Sequence, residues 1–202
     1  MTLAIVNARG VPGALGALVG DRQFVTCHHV LFGGGAEPGG RIWALDDTRW
    51  PCARVPLGRA LRGYCGLVTY RGAPCFVDAA LGELDVDAAL PALATVLGLP
   101  SPVDLPIGAT VWKRGPLTGD THGILADDRH FERPEIAGQL AHAPNQLRIV
   151  PRDRETQFSA LGESGSAVLD AAGRFVGLIW GCTTYGEAVA CPAGAVLAAL
   201  GL

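Results

Sequence analysis

The stretch Gly162-Glu163-Ser164-Gly165-Ser166, followed by the apolar run Ala167-Val168-Leu169, carries the strongest signal in this sequence. Glycines on both sides of Ser164 let the backbone turn sharply, so that the hydroxyl can stand out from a rigid frame. The same turn leaves backbone N–H groups free to face a carbonyl oxygen, as acyl-transfer chemistry requires. Because Gly-x-Ser-Gly also occurs in ordinary turns, the pattern gains meaning only if the chain supplies a histidine and a buried carboxylate.

The composition favours many short strands over long helices. The chain has 202 residues, of which 28 are glycine and 14 are proline, so turns must be frequent. Charged residues make up 17% of the chain, the net charge is -3, and no basic run occurs. This charge pattern argues against nucleic acid or an anionic membrane surface as a partner.

Short apolar segments separated by Gly, Pro and Asp recur through both halves of the sequence and predict strands. In the first half these segments are Ala14–Val19, Phe24–Thr26, Arg41–Leu45, Gly66–Tyr70 and Pro74–Val77. In the second half they are Ala109–Lys113, Gly123–Ala126, Gln146–Val150, Ser166–Leu169 and Arg174–Trp180, the last two joined by a turn at Asp170–Gly173. The proline-containing segment Leu97–Pro106 predicts a crossing between the halves.

This pattern predicts an all-β fold of two packed antiparallel β-barrels, formed by residues 1–100 and residues 101–202. Pro192 followed by Ala193–Leu200 predicts a short C-terminal helix, with proline at the first position and Val196 and Leu200 on one face. The alanine-rich segment Ala88–Val96 fits a helix and a strand equally well.

The N-terminus has no basic leader followed by an apolar run, and no apolar run in the chain reaches transmembrane length. We therefore expect a cytoplasmic protein without a membrane partner. A reducing cytosol makes free thiols the default for the six cysteines, with Cys182–Cys191 the favoured pair if a disulfide forms. The six are Cys27, Cys52, Cys65, Cys75, Cys182 and Cys191.

A serine nucleophile needs a base, and imidazole suits this role near neutral pH. His28 and His29 follow the predicted strand Phe24–Thr26, and because neighbouring strand residues point to opposite faces, only one of them can face the site. The other three histidines lie in turns or polar stretches and are expected at the surface or behind the residues that form the site: His122, His130 and His142.

A metal site built on Cys27, His28 and His29 is an alternative use of the same stretch. Adjacent ligands on a strand diverge, which disfavours that alternative. We therefore expect neither a metal nor a cofactor.

The carboxylate that orients the imidazole has two candidates, because Val-Asp-Ala-Ala-Leu occurs at Val77–Leu81 and again at Val86–Leu90. Asp78 follows the apolar run Cys75-Phe76-Val77, whereas Asp87 follows a more polar segment. A triad aspartate is buried, so this setting favours Asp78 over Asp87.

Five segments together resemble a bacterial branch of the chymotrypsin/trypsin-like serine peptidases. They run from about residue 13 onward in the order His, Asp, Ser that this family uses: Gly13–Val19, Thr26–Leu31, Val77–Leu81, Gly108–Gly119 and Gly162–Ser166. The resemblance implies a chymotrypsin-like pair of barrels. It also implies a hydrolase, a serine endopeptidase acting on protein or peptide substrates through an acyl-enzyme.

The resemblance also assigns roles to individual residues. Its Thr-x-x-His-Val pattern selects His29 as the base, with Ser164 as nucleophile and Asp78 orienting the imidazole. The backbone N–H groups of Gly162 and Ser164 would form the oxyanion hole. With an ordinary imidazole pKa of about 6.5, the rate should fall below roughly neutral pH. The competing interpretation is a catalytically silent binding module on the same fold.

By the same resemblance, two walls line the pocket for the residue before the scissile bond. One wall contains Phe158, Ser159 and Leu161, and the other contains Ile179, Trp180 and Gly181. No acid lies at the usual base of a trypsin-like pocket, which favours a small uncharged residue at this substrate position. Glu187 could instead attract Arg or Lys, although an exposed strand charge is the simpler interpretation.

Glu163 stands where secreted relatives often carry an aspartate that pairs with a new N-terminus after zymogen cleavage. The sequence has no Ile-Val-Gly-Gly start, so we expect no such activation here. Without a zymogen device, we expect control by narrow specificity or by a regulatory or effector protein partner.

Overall fold

The computed structural model describes residues 3–46, 53–86, 98–136, 139–153 and 155–202. Within these ranges, antiparallel strands form two large sheets and one small hairpin. The ambiguous segment Ala88–Val96, the second aspartate Asp87 and Cys52 lie outside the described residues.

The first sheet has seven strands and curls into a half-barrel. Its strands are β1 (Ala4–Asn7), β2 (Pro12–Ala14), β3 (Ala17–Val19), β4 (Gln23–Thr26), β5 (Arg41–Asp46), β6 (Ala53–Tyr70) and β7 (Ala73–Leu84). Helix α1 (His28–Phe32) and a 3-10 turn at Gly33–Gly35 follow β4. The spatial order β2-β1-β5-β6-β7-β4-β3 places β4 beside β7.

The second sheet is a closed six-stranded barrel in the order β12-β15-β14-β13-β8-β9. Its strands are β8 (Thr110–Gly115), β9 (Gly119–Glu132), β12 (Ala143–Pro151), β13 (Ala167–Asp170), β14 (Phe175–Cys182) and β15 (Ala188–Pro192). The small hairpin pairs β10 (Glu135–Ile136) with β11 (Gln139–Leu140), and helix α2 (Ala193–Leu200) ends the chain. The predicted all-β fold with a short C-terminal helix is confirmed, with the first barrel only half formed.

The hairpin of β6 and β7 is much longer than the sequence predicted. The predicted strands Gly66–Tyr70 and Pro74–Val77 are only its tip, because β6 alone runs for 18 residues. Glycines that suggested breaks lie inside the strand. A Cβ atom at Gly58 would collide with the carbonyl oxygen of Glu83 on β7, so glycine here permits close strand approach rather than ending the strand.

The segment Ala14–Val19 also differs from its prediction as one strand. It contributes the end of β2 and all of β3, and the break between them falls at Leu15-Gly16. The amide of Gly16 donates to the carbonyl of Val25 at 2.9 Å, which turns the chain from one edge of the sheet to the other.

The predicted turn between β13 and β14 is confirmed, and its cause is local. The carboxylate of Asp170 accepts hydrogen bonds from the amides of Ala172 (3.0 Å) and Arg174 (2.8 Å), as a turn-forming aspartate does. Helix α2 is confirmed as well, since Val196 and Leu200 are buried and Gly201 ends the helix with a φ of 65°.

A continuous apolar core joins the two sheets. It includes Phe24 and Leu31 from the first half and Leu178 and Val196 from the second. A separate cluster fills the inside of the second barrel: Val111, Leu125, Ile149, Phe158 and Val168. Because the shared core fixes one sheet against the other, side chains at their junction can form a site from both halves.

The five described cysteines carry free thiols. Strand pairing places Cys182 opposite Ala188 and Cys191 opposite Leu178, so these two cysteines do not face each other. None of the helices in the described ranges is long and apolar enough to span a membrane.

Candidate active site

His29 and Asp78 come together at the end of the first sheet. Asp78 lies on β7, whose neighbour β4 leads directly into helix α1 and its second residue, His29. Nδ1 of His29 is 2.6 Å from Oδ2 of Asp78, and the amide of His29 donates to Oδ1 at 3.1 Å. The two hydrogen bonds fix both the helix start and the ring, and Nδ1 donates to the carboxylate.

Asp78 also controls the charge of this imidazole. Burial would lower the pKa of His29, but the hydrogen bond and the negative charge of Asp78 outweigh it and raise the pKa above its ordinary value. The His29 side chain is 39% exposed and that of Asp78 only 5%. The carboxylate is therefore buried while the ring remains open to a reactant.

The adjacent histidine, His28, has a different environment from His29. The cause is not the alternation of side chains along a strand that the sequence suggested. His28 and His29 begin a helix instead of continuing a strand, because β4 ends at Thr26. The ring of His28 packs against Phe32 at 4.9 Å, and burial lowers its pKa. Asp78 hydrogen-bonds only to His29 of this pair.

The remaining histidines lie away from this pair, although His122 and His130 are on strand β9 instead of in a turn or loop, and His130 is half-buried. His122 lies on β9, exposed, opposite Trp112. Nε2 of His130 is 3.2 Å from Glu132, and His142 packs against Phe131 at 5.6 Å.

The loop that carries Ser164 is held against the first sheet. The carbonyl of Ser164 accepts a hydrogen bond from the amide of Ala14 at 2.8 Å, and Gly165 donates to the carbonyl of Ile179 on β14 at 2.7 Å. The same carbonyl of Ile179 accepts from Sγ of Cys27, two residues before His29, at 3.0 Å. The Ser164 loop and the start of the His29 helix thus meet at one backbone group.

The Ser164 hydroxyl has a weak partner of its own. Its Oγ donates to the carbonyl of Trp180 at 3.3 Å. Across the described residues, no hydrogen bond joins Ser164 to His29. Such a bond is often long in an enzyme without substrate and tightens when substrate binds.

Two glycines shape the backbone around Ser164. Gly162 and Gly165 have φ values of 95° and 98°, a backbone region that favours glycine. At Gly165 a Cβ atom would also collide with Oγ1 of Thr26 and the carbonyl of Ala14.

Among the described residues, the amides of Gly162 and Ser164 have no acceptor, whereas those of Glu163, Gly165 and Ser166 each donate to a carbonyl.

Glu163 points into the second barrel and forms a buried ion pair with Lys113 on β8. The Nζ–Oε2 distance is 2.9 Å, and both side chains are 0% exposed. Further donors complete the coordination of the carboxylate: the amides of Leu117 (3.1 Å), Thr118 (2.8 Å) and Ala160 (3.0 Å) and the hydroxyls of Thr118 (3.0 Å) and Ser159 (3.3 Å).

These contacts decide the charge state of the pair. Burial would raise the pKa of Glu163, but the amide of Thr118 and the charge of Lys113 hold it below its ordinary value. Burial lowers the pKa of Lys113, and the charge of Glu163 opposes this only in part. The charge of Glu163 is thus balanced from within the same barrel.

Solved structures similar to this one are bacterial serine proteases. Thermobifida fusca Protease A has a TM-score of 0.63 and 15% identity, covering 98% of this chain and 93% of its own. Cellulomonas bogoriensis chymotrypsin has a TM-score of 0.62 and 16% identity, and the match covers 98% of this chain and 93% of that one. The Rv3671c protease has a TM-score of 0.61 and 16% identity, and the match covers 99% of this chain and 87% of that one. Neither the known protein-family models nor the curated proteins match the sequence.

The chain has the chymotrypsin-like serine protease fold. At this level of identity the likeness establishes the fold, and it confirms the architecture that the sequence resemblance implied. The roles of individual residues rest on the geometry at the junction of the two sheets.

Within this chymotrypsin-like fold, the residues predicted to line the substrate pocket have unequal exposure. Phe158 and Ile179 are buried, and the Phe158 ring lies 5.9 Å from Nζ of Lys113. Leu161 is 86% exposed and adjoins Gly162. Gly181 is half-buried on β14.

Two further residues that were predicted to line the pocket are hydrogen-bonded to other side chains of the protein. The indole of Trp180 donates to Gln146 at 2.7 Å and packs edge-on against Phe76. Arg148 donates to both carboxylate oxygens of Glu187, at 2.9 and 2.7 Å. These hydrogen bonds lower the pKa of Glu187 and satisfy its charge, which weakens the case for Glu187 as a binder of Arg or Lys.

Sequence reasoning missed Lys113, the partner of Glu163. A signal was present, because Lys113 is the only lysine in the chain and lies within the apolar strand Ala109–Lys113. Lysine in such a setting is rarely buried unless it is paired. Glu163, the acid that precedes the candidate nucleophile Ser164, could have been proposed as the partner of this lysine.

We expect Lys113→Met to lower the free energy of unfolding by about 3–5 kcal/mol, because it leaves Glu163 buried without a counter-charge. Urea denaturation measures this loss. Arg41→Met is the matched control, since it removes the exposed pair with Asp85 and should change stability by less than about 1 kcal/mol. Equal effects of the two substitutions would contradict the structural role of Lys113.

Proposed function

We propose that the protein is a serine endopeptidase in which Ser164 is the nucleophile, His29 the base and Asp78 the residue that orients His29. One observation carries the proposal. An imidazole paired with a buried carboxylate at 2.6 Å lies at the same junction as Ser164, whose own amide and that of Gly162 have no acceptor among the described residues. The alternative is a binding module on the same fold without turnover.

The geometry supports a stepwise proton transfer. Because Asp78 accepts the Nδ1 proton, Nε2 of His29 carries the free lone pair. Nε2 removes the proton of Ser164 as Oγ attacks the substrate carbonyl, and then delivers it to the leaving amine. Water hydrolyses the resulting acyl-enzyme by the same route in reverse.

The free amides of Gly162 and Ser164 supply the electrostatic part of the proposal. They would donate to the oxyanion of the tetrahedral intermediate, where losing one such donor costs about 2.7–4 kcal/mol in a well-studied protease. Both amides flank Glu163, whose side chain is tied to Lys113 and Thr118. We infer that this anchoring keeps the two amides oriented before substrate arrives.

The environment of the pocket supports a small uncharged side chain before the scissile bond. Phe158 is buried near the expected base of the pocket, and the charge of Glu187 is matched by Arg148. Substrates are therefore proposed to be proteins or peptides with such a residue. The narrow specificity and the regulatory partner expected from the sequence stay predictions, as do the domain boundaries at residue 100.

Ser164→Ala should abolish labelling by a fluorophosphonate probe above pH 7.5 and lower turnover by up to about a million-fold. Intact-mass spectrometry should find one adduct on the wild-type protein and none on the variant. Ser166→Ala is the matched control in the same loop, because Oγ of Ser166 is buried without a hydrogen-bond partner. A folded wild-type protein that never labels at Ser164 would favour the silent binding module.

Asp78→Asn should lower kcat by roughly ten-thousand-fold while the protein stays folded, as loss of the tautomer-fixing carboxylate does elsewhere. The comparison variant Asp87→Asn should remain active, which hydrolysis of a fluorogenic peptide would measure. If Asp87→Asn alone abolished activity, the assignment of the carboxylate would be wrong.

The kcat/KM profile should rise with pH to a plateau, with a midpoint above the ordinary imidazole value of about 6.5. The reason is that only neutral His29 acts as a base, while Asp78 raises its pKa and so favours the protonated, inactive form up to a higher pH. NMR titration of the His29 ring should give the same midpoint, and Asp78→Asn should move it down. A wild-type midpoint below 6.5 would contradict the pairing.

A further inference from the structure

Cys27 is a buried nucleophilic group that the proposed mechanism does not use. It lies between β4 and α1, next to His28, and it has no solvent exposure. Its Sγ donates a hydrogen bond to the carbonyl of Ile179 at 3.0 Å. A thiol is thus placed beside the pair of His29 and Asp78.

Three different donor types converge here. Sγ of Cys27, a ring nitrogen of His29 and a carboxylate oxygen of Asp78 all lie within 4.8 Å of one another. The sequence disfavoured a metal site on Cys27, His28 and His29 because adjacent strand residues diverge. In the structure the helix begins at His28, and Cys27 and His29 converge on Asp78 instead.

We propose that Cys27, His29 and Asp78 bind Zn²⁺ and that the bound ion inhibits the peptidase, an inference that rests in its second half on the proposed function. Zinc takes thiolate, imidazole and carboxylate ligands with bonds of about 2.0–2.3 Å in tetrahedral geometry. That geometry sets ligand atoms about 3.5 Å apart. Nδ1 of His29 and Oδ2 of Asp78, now 2.6 Å apart, must therefore open by roughly 1 Å, and any separation near the 4.8 Å limit must close by a similar amount.

Charge and ligand type favour zinc over other common cations. A thiolate and a carboxylate together neutralise Zn²⁺, so the complex can lie at a buried position without a net charge. Mg²⁺ and Ca²⁺ prefer oxygen ligands, which this set supplies only through Asp78. The exposed face of His29 gives the ion a route from solvent, and water can complete the coordination there.

Metal binding would remove the base without blocking the substrate cleft. The ion takes the Nδ1 lone pair of His29, so the proton on Nδ1 relocates to Nε2 and the thiol proton of Cys27 leaves to solvent. Nε2 then carries a hydrogen and has no lone pair to accept the proton of Ser164. The hydrogen bond that Asp78 makes with Nδ1 is replaced by a bond to the metal.

Co²⁺ titration of the full chain tests the metal site independently of peptidase activity. Wild-type protein and Ser164→Ala should both develop thiolate-to-cobalt charge-transfer and tetrahedral d–d absorption bands. Cys27→Ala should lose the charge-transfer band. Cys65→Ala, which removes an exposed thiol on β6, is the matched control and should keep it. Absence of the band in wild type, or its persistence in Cys27→Ala, overturns the site.

Peptide hydrolysis with added Zn²⁺ tests the inhibition. Zinc should inhibit the wild type reversibly, with EDTA restoring the rate, whereas Cys27→Ala and Cys27→Ser should need at least tenfold more zinc to lose the same fraction of their own activity. Cys27→Ser is the second variant in case Cys27→Ala does not fold, because the serine hydroxyl retains a donor for the carbonyl of Ile179. Equal zinc sensitivity of wild type and both variants overturns the inhibition. A protein without hydrolysis would refute the proposed function while the cobalt titration still decides the site.

Discussion

The buried ion pair between Lys113 and Glu163 is the interaction on which the candidate site depends. Neither side chain reaches solvent, so each charge is stable in the fold only while the other is in place. The carboxylate of Glu163 also accepts hydrogen bonds from the amides of Leu117 and Thr118. These bonds connect the loop after β8 to the loop that carries Ser164. With its side chain held in this way, the residues on either side of Glu163, Gly162 and Ser164, keep amides that have no acceptor among the described residues.

The other half of the site belongs to the first sheet, and a few polar contacts align the halves across an apolar core. Ala14 holds the carbonyl of Ser164, and buried Gln146 donates to the carbonyl of Phe76 while it accepts from the indole of Trp180. Phe76 precedes Asp78 on β7, and the carbonyl of Trp180 accepts from the Ser164 hydroxyl. Apolar packing alone is not directional. Buried hydrogen bonds in which every donor and acceptor is paired therefore specify one alignment of the two sheets.

Features set by neighbouring residues could be predicted from the sequence. The turn at Asp170–Gly173, helix α2 and the barrel strands follow from local patterns. The contact between His29 and Asp78 joins distant parts of the chain, and it was expected from the family resemblance and not from a local pattern. Other features set by distant residues could not be predicted. The length of β6 depends on glycines that allow β7 to approach. The helical start at His28 depends on the hydrogen bond that the amide of His29 donates to Asp78, and the partner of Glu163 comes from another strand.

A crystal structure of the protein covalently modified by a peptidyl phosphonate would test the central claim most directly. If the anchored loop forms an oxyanion hole, phosphorus will be bonded to Oγ of Ser164. One phosphonyl oxygen will then lie within hydrogen-bond distance of the amides of Gly162 and Ser164, with the pair of Lys113 and Glu163 intact. A phosphonyl oxygen turned away from both amides, or a modification at another residue, would contradict the account.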